Sequence, residues 1–363
     1  MMRAWVWSAA LLLVPALPAC SALGKDTTTR LYPAEPGAEF DDRFELSVQG
    51  RPTRLQFYRN STPGKRHFMD TARVRFAADG PVDIELLTRK AAPARAFLRT
   101  LGRDLQFERD GSTMKFRLPG PGHYYLQLPD LAGPDGTFTV LFWIDDLEEF
   151  ERTQIDPNNS DVKDVTARGV KSDPSKDQTR AIQAVLDEGG VIYVPAGVYR
   201  AGTLRIGSNT TLYMAPGSLL KAVDSDSAVA AEFIAIKDAQ NVNILGCGTI
   251  DANGKVGFDH NVHNVNIISR SNVLFRDVLF QNSNSWAIHI RTSERFTGRN
   301  LKVFSGKDGL DPDSSRDVLL DGIFVVSIDD AVAIKNRYPD EPDGKTTERV
   351  TIRNAIVSST KSA

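Results

Sequence analysis

The sequence predicts an all-β protein in which an N-terminal antiparallel β-sandwich domain is followed by a right-handed parallel β-helix. Three observations support this fold class. Apolar residues alternate with polar ones between residues 39 and 144, a related four-residue phrase recurs five times between residues 241 and 352, and residues 175–188 alone have the spacing of an amphipathic helix. Alternation is typical of half-buried strands, and a recurring phrase is typical of stacked coils.

The composition is that of an ordinary folded protein. Its 363 residues are 41% hydrophobic and 25% charged, and 44 basic residues face 46 acidic ones, which gives a net charge of −2. This balance indicates neither disorder nor a basic surface for nucleic acid or an anionic membrane. We therefore expect no nucleic-acid partner, and we expect a monomer.

The N-terminus has the pattern of an export signal over residues 1–20. Arg3 precedes an apolar run from Trp5 to Ala19, which is too short to span a membrane. Residues 17–21 resemble the lipobox of bacterial lipoproteins, in which Cys20 would be lipidated and would form a membrane anchor. Ordinary cleavage nearby would instead release a soluble protein. Both alternatives predict a protein that is secreted, periplasmic or lipid-anchored at the bacterial cell surface.

The alternating pattern predicts a β-sandwich over residues 30–148. Val82, Ile84 and Leu86 form one such run, and turn residues such as Gly80-Pro81 fill the gaps between runs. An acidic stretch, residues 145–161, then breaks the pattern and is predicted to be a linker. The second domain is expected over residues 162–363.

The helical pattern lies at the start of this second domain. Residues 175–188 have apolar side chains on one helical face, Asp177 as the expected N-cap and Gly189-Gly190 as a stop signal. We expect this to be the only helix. It would cover the open first edge of the coil that follows.

The recurring phrase sets the length of one coil. The second residues of successive phrases lie 31, 23, 22 and 32 positions apart, and the phrases begin at Asn241, Asn272, Arg295, Asp317 and Arg349. Three strands of about five residues with short turns need roughly 21 to 24 residues. The short spacings thus predict one turn of a three-sided coil, and the long spacings predict inserted loops, such as the polar segment Tyr338–Thr346.

Three aspartates are the candidate catalytic residues. Asp308 and Asp329 are 21 residues apart, which places them on neighbouring coils about 4.8 Å apart along the axis, and Asp330 is adjacent. Inverting hydrolysis of a glycosidic bond uses one carboxylic acid and one carboxylate roughly 6.5 to 9.5 Å apart. We expect adjacent coils to supply that separation, with no cofactor and no metal.

The same residues resemble a known family. Residues 306–311 (GKDGLD) and 329–335 (DDAVAIK) are similar to the paired aspartate motifs of glycoside hydrolase family 28, the polygalacturonases, and residues 284–289 resemble the stretch before the first motif. The start of the second domain, residues 164–199, resembles the first coil of pectin-lyase-like β-helices. The resemblance covers about residues 162–363.

This resemblance implies an inverting glycosidase acting on pectin or a related polysaccharide. It makes Asp329 the general acid and has Asp308 and Asp330 hold and activate water. Gly306-Lys307 stands where the family has Asn-Thr, which bears on the choice of substrate. The family's later Gly-His-Gly and Arg-Ile-Lys motifs have no counterpart before Ala363, so the β-helix domain is expected to be incomplete.

Four further residues are candidates for substrate binding: Trp286, His289, Asp311 and Lys335. Each also has a structural alternative. Trp286 would fill the core, and His289 would be a buried histidine with its hydrogen bonds satisfied. Asp311 would cap backbone groups, and Lys335 would be a solvated ammonium group. Three other functions remain open. They are a dextranase-like hydrolase, a Ca²⁺-dependent polysaccharide lyase with the metal at Asp311 and Asp313, and a non-catalytic carbohydrate-binding surface protein.

Overall fold

The structure is a computed structural model that describes residues 27–59, 70–89, 93–131, 138–224, 228–254, 260–341 and 344–359. The predicted export signal, with the lipidation candidate Cys20, lies outside these residues. No helix in the described ranges has the length and apolar character needed to cross a membrane.

The first part of the chain forms strands β1 to β12. Their bounds are Thr29–Leu31, Phe44–Val48, Arg51–Thr53, Gln56–Arg59, Asp70–Ala78, Val82–Thr88, Phe97–Thr100, Arg103–Asp104, Glu108–Asp110, Thr113–Leu118, Gly122–Leu128 and Phe138–Asp146. One sheet has the order β1-β5-β12-β11-β7-β8, with β4 also paired to β5, and the other has the order β3-β2-β6-β10-β9. Alternate side chains of both sheets, including Leu46, Ile84, Val74 and Phe142, share one apolar core.

The sequence predicted a purely antiparallel sandwich, and this is wrong for one pair of strands. Strands β5 and β12 run parallel, from the pair Thr71–Thr139 to the pair Ala78–Asp146. The two strands are separated in sequence by β6 to β11, so no tight hairpin forces them into opposite directions.

The predicted linker is wrong at its start. β12 continues to Asp146, and residues Leu147–Arg152 form a short helix, α1. Asp146 caps it by accepting a hydrogen bond from the Glu149 N–H at 2.8 Å, while Leu147 and Phe150 are buried. An apolar pair three residues apart within an acidic run is the amphipathic signal that explains the helix.

The second part of the chain contains helix α2, Thr179–Leu186, and strands β13 to β30. The strands are Val162–Asp164, Gly190–Val194, Gly197–Ala201, Leu204–Arg205, Thr210–Met214, Ser218–Ala222, Glu232–Lys237, Val242–Leu245, Thr249–Asp251, His263–Arg276, Leu279–Ser283, Ile288–Arg299, Lys302–Ser305, Leu310–Asp313, Arg316–Asp321, Phe324–Ser327, Glu348–Arg353 and Ile356–Ser359. Helix α2 buries Ile182, Val185 and Leu186. It is shorter than predicted, and Gln178 rather than Asp177 is its N-cap.

These strands wind into a three-sided parallel coil, which confirms the predicted β-helix. The face called here the site face contains β16, β19, the first halves of β22 and β24, and β26. The second face runs β13-β14-β17-β20, through the second halves of β22 and β24, to β27 and β29. The third face has the order β15-β18-β21-β23-β25-β28-β30.

The recurring phrases stack in register on the second face. Their second residues form one continuous row in the parallel sheet: Val242, Val273, Phe296, Val318 and Val350. The first residue of each phrase has a φ between 54° and 59°, the left-handed conformation that turns the chain at a corner. Each recurrence of the phrase therefore corresponds to one coil, for the short spacings and for the long ones.

The sandwich packs against the outside of the third face. An apolar cluster joins the two parts, with side chains from the sandwich and from the coil: Tyr58, Leu141, Trp143, Leu279, Phe304, Phe324 and Val326. Beside this cluster, the buried carboxylate of Asp145 accepts from Arg75 at 2.6 Å, Lys302 at 3.0 Å and the side-chain amide of Asn300 at 2.7 Å. A buried carboxylate with this many donors is stable only while both parts stay together.

His123 should make stability depend on pH at this interface. Burial, and then the charge of Lys302, lower the pKa of His123 to about 3. The unfolded chain takes up this proton near pH 6.5, so stability should fall as the pH drops between these two values. His123→Gln should reduce that slope by about 1.4 kcal/mol per pH unit. Denaturant unfolding between about pH 5.5 and pH 4 measures it, and equal slopes for both proteins would contradict this origin.

Candidate active site

The chain turns from the third face to the site face after β25 and again after β28, and these two turns carry the predicted acids. Asp308 lies in the first turn, and Asp329 and Asp330 lie in the second. The stacked turns are bonded to their neighbours: the Ala287 N–H donates to the Asp308 carbonyl at 2.9 Å, and the Gly309 N–H donates to the Asp330 carbonyl at 2.8 Å.

The three aspartates form a compact group. Each offers a carboxylate oxygen, and these oxygens all lie within 4.8 Å of one another. Asp308 is buried, Asp329 is half-buried and Asp330 is exposed, so the group opens to solvent on the side of Asp330. Carboxylates at this spacing are also the described residues that would best surround a metal ion.

This spacing corrects one expectation. The nearest oxygens are closer than the roughly 6.5 to 9.5 Å anticipated between the acid and the base. The reason is geometric, because neighbouring coils rise only about 4.8 Å and both turns project their carboxylates to the same side. A water molecule can therefore contact more than one of these carboxylates at once.

A column of buried serines holds the two turns. Ser283, Ser305 and Ser327 are paired in register at the ends of β23, β25 and β28. The Ser305 hydroxyl donates to the Asp308 carbonyl at 2.6 Å, and the Ser327 hydroxyl donates to the Asp329 carbonyl at 2.6 Å. Serines at matching positions of successive coils thus fix the backbone of Asp308 and of Asp329.

Gly309 is required by close stacking. A Cβ at this position would lie 2.4 Å from the Ala331 carbonyl oxygen and 2.5 Å from a methyl group of Val325. Any larger residue would push apart the two coils that carry the aspartates.

Lys335 neutralises part of the acidic group. Its ammonium donates to Asp308 Oδ2 at 2.7 Å and to Asp311 Oδ1 at 2.8 Å. Burial, reinforced by Asp308 and opposed by Lys335, raises the pKa of Asp311 to about 8. Asp311 is therefore mainly protonated at neutral pH. The positive charge of Lys335 then acts mainly on the carboxylate of Asp308. Burial lowers the pKa of Lys335, but its bonds to both carboxyl groups raise it overall.

A second ion pair, between the buried Asp313 and the exposed Arg337, lies beside the first. Asp313 accepts from the Arg337 backbone N–H at 2.8 Å and from Arg337 Nε at 2.7 Å, and His289 Nε2 lies 3.5 Å from the same carboxylate. Burial alone would raise the pKa of Asp313, but His289 and Arg337 hold it well below its usual range. Burial lowers the pKa of His289.

Trp286 forms a half-buried aromatic wall next to the aspartates. Lys335 Nζ lies 3.9 Å from its ring centroid, the Arg337 guanidinium carbon lies at 4.4 Å, and Lys307 Nζ lies at 5.7 Å. His263 stacks on the indole with centroids 5.2 Å apart. Much of the indole surface is therefore covered by protein groups, and the cations over the ring give this part of the site a positive charge.

The structure gives different outcomes for the four residues that were predicted to bind substrate. The prediction of direct substrate contact is wrong for His289 and Asp311, because their exposed fractions are 3% and 0% and they lie beneath other side chains. Lys335 is at the site but binds carboxyl groups of the protein. Trp286 is partly accessible beside the aspartates, and its contact with substrate stays a prediction.

Two features of the site were missed. The serine column recurs every 22 residues, a spacing that a search for polar residues at the coil period would have found. The segment around Tyr338 packs over the site face, where Arg291 binds Glu341 and lies 3.8 Å from the Tyr338 ring centroid. This packing joins an inserted loop to a strand far away in sequence, so no local pattern marks it.

No protein-family model matches the chain. A curated relative, the exo-poly-alpha-D-galacturonosidase of Dickeya chrysanthemi, is 28% identical over 158 aligned residues, which cover 34% of this chain and 25% of the relative. The match thus spans a quarter of the length of that protein.

Two solved structures align with part of the chain. An exopolygalacturonase of Thermotoga maritima aligns with a TM-score of 0.49 and 20% identity over 58% of this chain and 63% of that one. A polygalacturonase of Erwinia carotovora aligns with a TM-score of 0.47 and 22% identity over 57% and 65% of the two chains.

The sequence match and the two aspartate motifs confirm the resemblance drawn from the sequence. The structure brings Asp308, Asp329 and Asp330 of these motifs together on neighbouring turns of one coil. The chain is a protein similar to glycoside hydrolase family 28, the polygalacturonases.

Proposed function

We propose that the protein hydrolyses glycosidic bonds of a pectic polysaccharide, with polygalacturonate as the first substrate to test. The observation that carries the proposal is the group of three carboxylate oxygens within 4.8 Å of one another on adjacent turns. The curated relative, named for its action on polygalacturonide, supports the choice of polymer. A dextranase-like preference for a neutral glucan remains the competing specificity.

The mechanism assigns one role to each aspartate. Asp329 gives its proton to the leaving glycosidic oxygen, while water held by Asp308 and Asp330 attacks the anomeric carbon from the opposite side. The carbon–oxygen bond breaks as the water's proton passes to a carboxylate, and solvent then restores the proton of Asp329. Lys335 donates a hydrogen bond to Asp308 and so holds this carboxyl group in place.

Location, partners and cofactors belong to the same proposal. The apolar N-terminal segment supports export, as a secreted, periplasmic or lipid-anchored protein. We propose a monomer whose partner is the polysaccharide, and a reaction without metal or cofactor.

A Ca²⁺-dependent lyase is the second candidate, favoured by one observation. The spacing of Asp308, Asp329 and Asp330 would suit a cation, whereas Asp311 and Asp313, the metal ligands first considered for a lyase, are bound to Lys335 and Arg337. A lyase would release unsaturated products that absorb ultraviolet light and would lose activity with a chelator. New reducing ends without that absorbance, unaffected by chelation, are expected.

Asp329→Asn tests the general acid. The amide has the shape of the carboxyl group but cannot deliver its proton, so turnover of polygalacturonate should fall about 10²- to 10⁴-fold, measured as reducing ends. The melting temperature should change little. Asp340→Asn, at an exposed loop carboxylate, is the matched control and should keep wild-type rates. Full activity in Asp329→Asn would refute the assignment.

Lys335→Met tests the charge that accompanies Asp308. Other charged groups face this pair: Asp311 on β26, Asp329 and Asp330 on the next turn, Arg337 across Trp286, and Lys307 beside them. Without the ammonium, Asp308 and Asp311 lose the donor that bonds to both carboxyl groups. The kcat/KM for polygalacturonate, measured as new reducing ends, should therefore fall about tenfold or more.

Lys237→Met is the control for that measurement. Lys237 occupies the same column of the site face, four coils earlier, where it pairs with Glu232 at 2.7 Å. Its kcat/KM should equal that of the wild type. A wild-type kcat/KM in Lys335→Met would show that the reaction does not depend on the bonds from Lys335 to the two aspartates.

A further inference from the structure

The cations around the candidate active site differ in whether they are already paired. Lys335 is bound to Asp308 and Asp311, Arg337 is bound to Asp313, and Arg291 is bound to Glu341. Each of these positive charges is matched by a carboxyl group of the protein. They contribute little net attraction for an external anion.

Lys307 is the exception. In the described part of the chain, no carboxylate lies within ion-pairing distance of its ammonium group, which is 5.7 Å from the Trp286 ring centroid. The side chain is partly exposed. An ammonium in this position can bind an incoming anion without first breaking an internal ion pair.

The backbone of Lys307 is fixed at the reacting centre. Its N–H donates to the Ser305 hydroxyl at 3.2 Å, and its carbonyl accepts from the Asp329 N–H at 3.1 Å. It is also the chain neighbour of Asp308. A sugar whose glycosidic bond lies between these aspartates therefore places its ring substituents within reach of the Lys307 side chain.

We propose that Lys307, beside Trp286, forms a binding subsite for the carboxylate of a uronate residue next to the scissile bond. The subsite rests on the proposed function and names its substrate class, an acidic rather than a neutral sugar. The three aspartates would repel a uronate, so a cation must offset that repulsion at close range. Lys307 stands where the resembling family has threonine.

A binding experiment tests the subsite independently of turnover. Calorimetric titration of the Asp329→Asn protein with trigalacturonate and with galactotriose should show about tenfold or tighter binding of the acidic sugar. Adding Lys307→Thr should remove most of this preference without weakening galactotriose. Lys307→Arg should retain it, and Lys237→Thr, at a lysine far from the site, should match the parent.

The outcomes separate the two proposals. A preference that survives Lys307→Thr overturns the subsite, even if the enzyme hydrolyses polygalacturonate. A preference lost in Lys307→Thr supports the subsite even if hydrolysis is never observed, in which case only the proposed reaction fails. In an active enzyme, the same substitution should raise KM for polygalacturonate, and added salt should reduce the difference from the wild type.

Discussion

The candidate site depends on one constraint, the in-register stacking of 22-residue coils. Because Ser283, Ser305 and Ser327 are each 22 residues apart and pair in register, the turns that follow Ser305 and Ser327 meet edge to edge. This stacking brings Asp308 together with Asp329 and Asp330. Gly309 permits the close stacking, since a side chain there would meet the next turn.

Stacking like charges has an electrostatic cost, and the fold offsets it within the same column of strands. Lys335 arrives one coil later and binds Asp308, while Asp311 remains mainly protonated and adds no charge at neutral pH. Arg337 in turn donates a hydrogen bond to the carboxylate of Asp313. At the opening, the half-buried Asp329 and the exposed Asp330 follow the turn of Lys307, whose ammonium pairs with no carboxylate of the described residues. This asymmetry favours an acidic sugar bound next to acids that must stay close together.

Much of this arrangement could be predicted from the sequence, because periodicity is a local signal. The repeated phrase gave the coil length, and the corner residues such as Asn272 adopt the left-handed conformation at each repeat. The three aspartates followed from their spacing and motifs. The pairing of Lys335 with Asp308 and the burial of Asp145 could not be predicted, because the first depends on a side-chain contact between neighbouring coils and the second on contacts between two domains. The same reasoning explains why His289 was misassigned: its strand pattern gives no sign of the side chains that cover it.

In the proposed reaction, water held by stacked carboxylates attacks the anomeric carbon directly. The short distance between the oxygens calls for a direct test, since carboxyl groups about 5 Å apart are also found in enzymes that form a glycosyl-enzyme intermediate. Proton NMR of the first products from α-linked polygalacturonate distinguishes the two routes. If water attacks directly, the new reducing ends should appear first as the β-anomer. Products that appear first as the α-anomer would contradict direct attack by water.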